Sequence, residues 1–303
     1  MSERAPAPLL RRLWLYQAER FPLLRHGLLI AVFTAAAAGY AAALGARPDW
    51  REVLGAGAVV LLLFLQLRIA DEHKDFQDDL RFRPERPVPR GLVTLAKLRA
   101  VAAFAAAVQL ASVFTLGVRT AGWLALVWMW MGLMTVEFFA PRQLKARPLL
   151  YLVSHMAVMP LIALFALAAM SGGSPPLGMG LAAFLALSLF NGLALELGRK
   201  TWAPADEREG VETYSRLWGP AGAAGATAAA LLCATAAALL ALACVDALRL
   251  APLPLAAVAG ALAAVGVYAA RRTSRGARAL EAGTALFALA SYLSLALACW
   301  VGG

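Results

Sequence analysis

Residues 27–45 read GLLIAVFTAAAAGYAAALG, a run without one charged side chain. Its length is close to the roughly 20 apolar residues that carry a helix through the hydrocarbon of a bilayer. A second run, AAGATAAALLCATAAALLALAC at 223–244, has the same character. Lipid offers backbone N–H and C=O groups no partner, so such runs are expected to be helices, which satisfy those groups internally. Working outward from them, membrane spans are expected near 24–45, 52–70, 98–118, 121–141, 148–171, 178–197, 221–245, 251–270 and 278–301. That describes an all-α, polytopic membrane protein of about nine transmembrane helices, in a single transmembrane domain over 1–303. Composition agrees: the 303 residues are 61% hydrophobic and 15% charged, with mean hydropathy +0.69, where a soluble domain carries about 25% charged residues. An Arg-bearing polar segment, 1–23, precedes the first run, and no small-residue cleavage site follows a short apolar core. It reads as a retained helix and not a signal peptide.

The cations set the orientation. Of 28 Lys and Arg, only Arg47, Arg51, Arg119 and Arg249 fall in the loops after spans 1, 3 and 7. The rest lie in the N-terminal segment, in the loops after spans 2, 4, 6 and 8, or at the adjoining helix ends. Positive residues mark the cytoplasmic side, so the expectation is a multi-pass protein of a bacterial-type inner membrane, N-terminus cytoplasmic and C-terminus outside. The net charge of +10 is then topological, and no nucleic-acid partner is needed to explain it.

The acids are distributed differently. Ten of the 18 Asp and Glu are Asp71, Glu72, Asp75, Asp78 and Asp79 after span 2, and Glu196, Asp206, Glu207, Glu209 and Glu212 after span 6. Acids contribute little to topology, so they need another reason. Asp71, Asp75 and Asp79 recur every four residues. If span 2 stays helical to its end, they project from one face at neighbouring turns, where like charges repel. A bound Mg²⁺ reverses that repulsion, and it is typically held by one or two carboxylates together with substrate phosphates. The cations that follow, Arg81, Arg83, Arg86, Arg90 and Lys97, are suited to gripping the same phosphates. The plainer alternative is a pair of solvated juxtamembrane loops.

The stretch DEHKDFQDD followed by RPVPRG resembles the first Asp-rich motif of the UbiA superfamily of intramembrane prenyltransferases, N-x-x-x-D-x-x-x-D followed by R-P-x-P-x-G. Asp71 takes the Asn position, Asp75 and Asp79 the two Asp positions, and Arg86 to Pro89 with Gly91 the downstream element. The second motif of that family is similar to ELGRKTWAPADEREGVET at 196–213, with Glu196 as first acid, Asp206 as a later one, and Gly210 and Thr213 following. Lys200 stands where the pattern offers a second acid. A cation cannot ligate Mg²⁺ there, which leaves direct contact with diphosphate or a pair with Glu196 one turn away.

The resemblance implies a UbiA-like helical bundle with its active site on the cytoplasmic side. It also implies Mg²⁺-assisted ionisation of an allylic prenyl diphosphate donor and transfer of the prenyl group to an aromatic or other lipophilic acceptor. On it, Asp71, Asp75, Asp79, Glu196 and Asp206 are the catalytic and metal-ligating candidates. Arg81, Arg86, Lys145, Arg199 and Lys200 are the diphosphate-binding candidates. A terpene cyclase acting on the diphosphate alone is the alternative within that fold. A transporter is a further one, disfavoured because polar groups crowd one face instead of the midplane.

Other polar residues are candidates by position. Glu137 in span 4 and His155 in span 5 are intramembrane ionisable groups, which serve function or helix–helix hydrogen bonding. Arg68 precedes the first acidic cluster and is placed to hold it, and Asn191 lies just before Glu196. Trp128 and Trp130 are expected to pack or to line an isoprenoid pocket. Cys233, Cys244 and Cys299 lack C-x-x-C spacing and read as small buried apolar residues, neither disulfides nor metal ligands.

Overall fold

The computed structural model describes residues 8–301; among them there are thirteen α-helices, four short 3₁₀ turns and no strand. The first seven expected residues lie outside this range. The helices are α1 (Leu9–Arg20), α2 (Leu23–Ala43), α3 (Trp50–Lys74), α4 (Phe76–Phe82), α5 (Leu95–Leu116), α6 (Thr120–Thr135) and α7 (Pro141–Lys145). They continue with α8 (Pro148–Met156), α9 (Val158–Ala169), α10 (Met179–Arg199), α11 (Tyr214–Ala243), α12 (Pro252–Arg271) and α13 (Ser274–Ala296). Among the described residues eight segments are long and apolar enough to cross a membrane: α2, α3, α5, α8 with α9, α10, α11, α12 and α13, the last two with their flanking turns.

Local chemistry sets the boundaries. Asp49 starts α3 by accepting from the backbone N–H of Arg51 and Glu52, while Glu52 accepts from the Asp49 N–H, a reciprocal capping box. Thr94, Thr213 and Thr273 cap α5, α11 and α13 through their hydroxyls. Pro141, Pro148 and Pro252 occupy first helical positions, where no N–H is missed.

Three spans depart from expectation. The fourth, α6, has only 16 residues, and Glu137 lies beyond its end instead of deep within it. The fifth is two helices meeting at Ala157, so His155 sits in its first half, near the charged end. The seventh begins earlier, at Tyr214, and bends where Gly219 (φ 73) precedes Pro220, because proline cannot continue the ladder of the preceding turn.

The membrane helices form a closed bundle. Each packs on the next, from α2 through α3, α5, α6, α9, α10, α11 and α12 to α13, and α13 returns to α2. Helix α10 also packs on α13, so it runs inside the ring. Close approach depends on small residues. A Cβ on Gly39 would lie 2.2 Å from the Ala296 carbonyl oxygen, and one on Gly198 would lie 2.6 Å from the Thr284 hydroxyl. Without water to drive helices together, such backbone contacts and occasional interhelical hydrogen bonds carry the association. Buried Tyr40 supplies one, its hydroxyl lying 3.0 Å from the Ala241 carbonyl and 3.2 Å from that of Gly180. Outward, the bundle presents large apolar side chains such as Leu24, Phe104, Phe114 and Leu286, the surface a lipid phase solvates. Cys233 faces outward too, contrary to its expected burial, and all three cysteines are free thiols.

Candidate functional site

Asp71, in the last turn of α3, is where the charged end of the bundle begins. Its side chain is 58% exposed and lies within electrostatic reach of Asp75 and, from α10, of Arg199 and Glu196. The two acidic segments, 125 residues apart in sequence at Asp71 and Glu196, therefore face one another. The loops behind them touch as well. Gly210, at φ +72, sits so close to Phe82 that a Cβ there would be 2.2 Å from the ring, and Arg208 reaches Glu85 at 3.6 Å.

The three aspartates of the first motif do not share a face. Helix α3 ends at Lys74, Asp75 turns the chain at its C-cap, and Asp79 belongs to the separate helix α4. The expectation of one continuous helical face is thus corrected: the turn at Asp75 rotates Asp79 inward, where it is 1% exposed. There the Asp79 carboxylate accepts from Arg86 Nη1 at 2.8 and 2.9 Å and forms an ion pair with Arg83, whose Nε lies 2.6 Å away. Arg86, expected at the diphosphate, is spent on this pair. Asp75 is half-buried and makes no ion pair among the described residues; Asp71 has only Arg68, at 3.6 Å.

Glu72, between them, points into the protein. It is 1% exposed and is bracketed by Arg20 at 2.6 Å and Arg68 at 3.1 Å. Arg20 comes from α1, so that helix is part of the site's wall. Arg12 of α1 also donates to the carbonyls of Gly91 and Leu92, and Glu19 pairs with Arg90 at 2.6 Å. These contacts pin the RPVPRG turn. Burial, with the Glu72 carboxylate nearby, pushes the Tyr16 phenol above its ordinary range, which keeps it neutral beneath the acid.

In the second motif, Glu196 is paired on both oxygens: Oε2 with Arg199 at 2.6 Å and Oε1 with Lys200 at 3.0 Å. Lys200 also lies 5.9 Å from the centre of the Tyr214 ring. The following loop is held by Glu207, whose carboxylate accepts from Thr213 and Ser215 at 2.7 Å. Asp206 is exposed and lines a cleft of about 420 Å³, together with Arg199, Trp202, Arg278 and Glu281.

The remaining expected residues divide. Arg81 is exposed, its guanidinium 4.9 Å from the Phe82 ring centre, and Lys145 is exposed at the end of α7. Asn191 donates to Ser291 at 3.1 Å and so ties α10 to α13. Glu137 and His155 converge on Lys74, which lies 2.7 Å from Glu137 Oε1, donates to the Tyr151 hydroxyl, and stands 3.5 Å from His155 Nε2. Lys74, Tyr151, Tyr214 and the Arg20–Glu72 pair escaped the sequence reading. Lys74 was visible as the one lysine inside the acidic cluster, and Tyr151 as the partner of His155 at i, i+4.

Among the described residues no three His, Cys, Asp or Glu side chains group closely enough to cage a metal. The donor set of the first motif nonetheless suits Mg²⁺, which needs one or two carboxylates and completes its octahedron with water and phosphate oxygens. Asp71 and Asp75 meet that need. In the second motif each oxygen of Glu196 is engaged by a cation, and Asp206 lines a cleft that Arg199 lines as well.

Comparisons with known proteins bear on the bundle as a whole. The model of the UbiA prenyltransferase family matches residues 31–301. Among solved structures, a UbiA homolog from Aeropyrum pernix K1 superposes with TM-score 0.64 at 17% identity, covering 86% of this chain and 94% of that one. A digeranylgeranylglyceryl phosphate synthase superposes with TM-score 0.62 at 13% identity, covering 95% and 99%. At those identities the likeness is one of fold. No curated protein sequence matches.

Proposed function

The chain belongs to the UbiA prenyltransferase family, and on that footing we propose that it transfers a prenyl group from an allylic prenyl diphosphate to a lipophilic acceptor within the bilayer. The observation that carries this reading is that Asp71, at the end of α3, lies within electrostatic reach of Arg199 and Glu196 of α10, with Lys200 held on the same Glu196 at 3.0 Å, at one charged end of an apolar bundle. In it, Asp71 and Asp75 hold Mg²⁺, which when bound neutralises charge on the diphosphate. Arg199, Lys200 and Arg81 supply the fixed cations, with Lys145 at the rim. As the allylic C–O bond breaks, negative charge builds on the departing diphosphate, and preorganised cations in a water-poor site stabilise it most. The hydrocarbon tail lies among helices that already face lipid. The π-faces of Trp130, Phe138 and Tyr151 shelter the allylic cation. We assign this end of the bundle to the cytoplasmic side of a bacterial-type inner membrane, with the N-terminus on that side, because the Lys and Arg crowd there.

Incubating detergent-solubilised protein with farnesyl or geranylgeranyl diphosphate tests this. Either donor should raise the melting temperature with Mg²⁺ and not with chelator, by about 2.7 kcal/mol of linkage at a hundredfold excess over Kd. Asp75→Asn should lose that increment. Stabilisation that persists in chelator would remove the metal role, and abundant cyclised hydrocarbon from donor alone would replace the transferase reading with a cyclase.

A further inference from the structure

The turn after α6 is built against backbone preference. Glu137, Phe138 and Phe139 have φ of 50, 52 and 56, a left-handed turn with no glycine in it. Strained backbone of this kind persists where surrounding contacts hold it, and it clusters at functional sites. Here the contact is ionic. Only 8% exposed, Glu137 gives Oε1 to the Lys74 ammonium at 2.7 Å. Its other oxygen, Oε2, is enclosed and has no hydrogen-bond partner.

The described neighbours leave that oxygen unpaired. The protons of Lys74 go to Glu137 and Tyr151, with His155 Nε2 alongside. His155 Nδ1 donates to the Tyr151 carbonyl at 2.9 Å, so its Nε2 carries a lone pair and no proton to offer. Around the carboxylate the walls are aromatic. Tyr151 stacks on His155 at 4.0 Å, and Phe138 meets His155 and Trp130 edge-on at 6.0 and 5.2 Å. Lys74 immediately precedes Asp75, and Tyr151 and His155 lie within electrostatic reach of Lys200. The site is therefore a neighbour of the donor residues.

A carboxylate oxygen whose charge is already balanced by Lys74, in an aromatic recess, calls for a neutral O–H donor. We propose that Glu137 recognises the hydroxyl group of the prenyl acceptor, a phenol or a primary alcohol, and takes its proton; this rests on the transferase reading above. As the acceptor oxygen's lone pair forms a bond to the allylic carbon, the C–O bond to diphosphate breaks and that electron pair leaves with the diphosphate. The hydroxyl proton passes to Glu137 Oε2 and is lost to water after product departs. Glu137 thereby selects acceptors by their hydroxyl, while Asp71, Asp75, Arg199 and Lys200 deal with the donor.

Thermal-shift titration of the full chain in detergent tests this with 4-heptylphenol and 1-dodecanol against their methyl ethers, which keep the shape and lack the donor. At least one hydroxyl compound should bind roughly tenfold more tightly than its ether, about 1.4 kcal/mol. Which of the two does so identifies the acceptor class. In the double variant Lys74→Met/Glu137→Leu, which removes the pair together and leaves no lone buried charge, hydroxyl and ether should bind alike. If the wild-type protein binds both hydroxyl compounds no better than their ethers, or if the double variant keeps the preference, the proposal is overturned. A wild-type protein that responds to allylic diphosphate but not to the hydroxyl loses only this inference; one that ignores allylic diphosphate loses the transferase reading itself.

Discussion

Asp79→Asn tests whether the third acid of the first motif is a metal ligand or a strut. Asp79 is 1% exposed and makes three charge-assisted contacts with Arg83 and Arg86 at 2.6–2.9 Å. Removing one partner of a buried ion pair costs about 3–5 kcal/mol, because the remaining charge is left uncompensated. The guanidinium side chains are 16% and 22% exposed, so water recovers part of the loss and the lower figure applies, about 3 kcal/mol. At about 2 °C per kcal/mol for a chain of this size, the ligand-free melting temperature should fall by about 6 °C. Asp75→Asn, which breaks no ion pair, should leave it within about 1 °C. With allylic diphosphate present, the Mg²⁺-dependent increment should vanish in Asp75→Asn and survive on a lowered baseline in Asp79→Asn. Differential scanning fluorimetry in one detergent reads all of these. An Asp79→Asn protein as stable as wild type that has nevertheless lost the Mg²⁺ increment would refute the reasoning and return Asp79 to the metal.

Two further outcomes follow from the second motif. Lys200→Ala should weaken donor binding and slow diphosphate release by about 1.5–3 kcal/mol, the worth of a hydrogen bond to a charged group; unchanged affinity and rate would mark Lys200 as a partner of Glu196 alone. Gly210→Ala should destabilise the protein, since φ +72 disfavours any Cβ and this one would meet Phe82 at 2.2 Å. Phe82→Ala in the same chain should recover the steric part, and circular-dichroism melts would show an absence of recovery if the two loops do not touch.

Hydropathy made the bundle legible because lipid imposes a simple rule on backbone groups, and α2, α10 and α13 follow it closely. Glu137 shows where that rule stops. An apolar window runs through it, yet the helix ends two residues earlier in a left-handed turn whose Glu137 is paired with Lys74. Motif spacing likewise put Asp71, Asp75 and Asp79 on one face, but spacing presumes a continuous helix, and the turn at Asp75 broke that premise for Asp79. Lys200 one turn from Glu196 could be read as a pair from the sequence; that Arg199 takes the other oxygen could not, because i, i+3 geometry permits contact without requiring it. The N-terminal segment was read by its charge alone. Its pattern of Leu9, Leu13 and Tyr16 between arginines already described an amphipathic helix.

That helix has a consequence for how the protein is made. α1 leaves the ribosome before the residues it clasps: Glu72 is 52 positions downstream of Arg20, and Gly91 is 79 downstream of Arg12. Until α3 has been threaded into the membrane and the RPVPRG turn has emerged, α1 has no protein surface to rest on. Leu10 and Trp14, still 81% and 64% exposed in the finished fold, give it an apolar stripe with which to wait on the lipid surface. The wall behind Asp71 is thus completed by a segment that is translated before its partners and must wait for them.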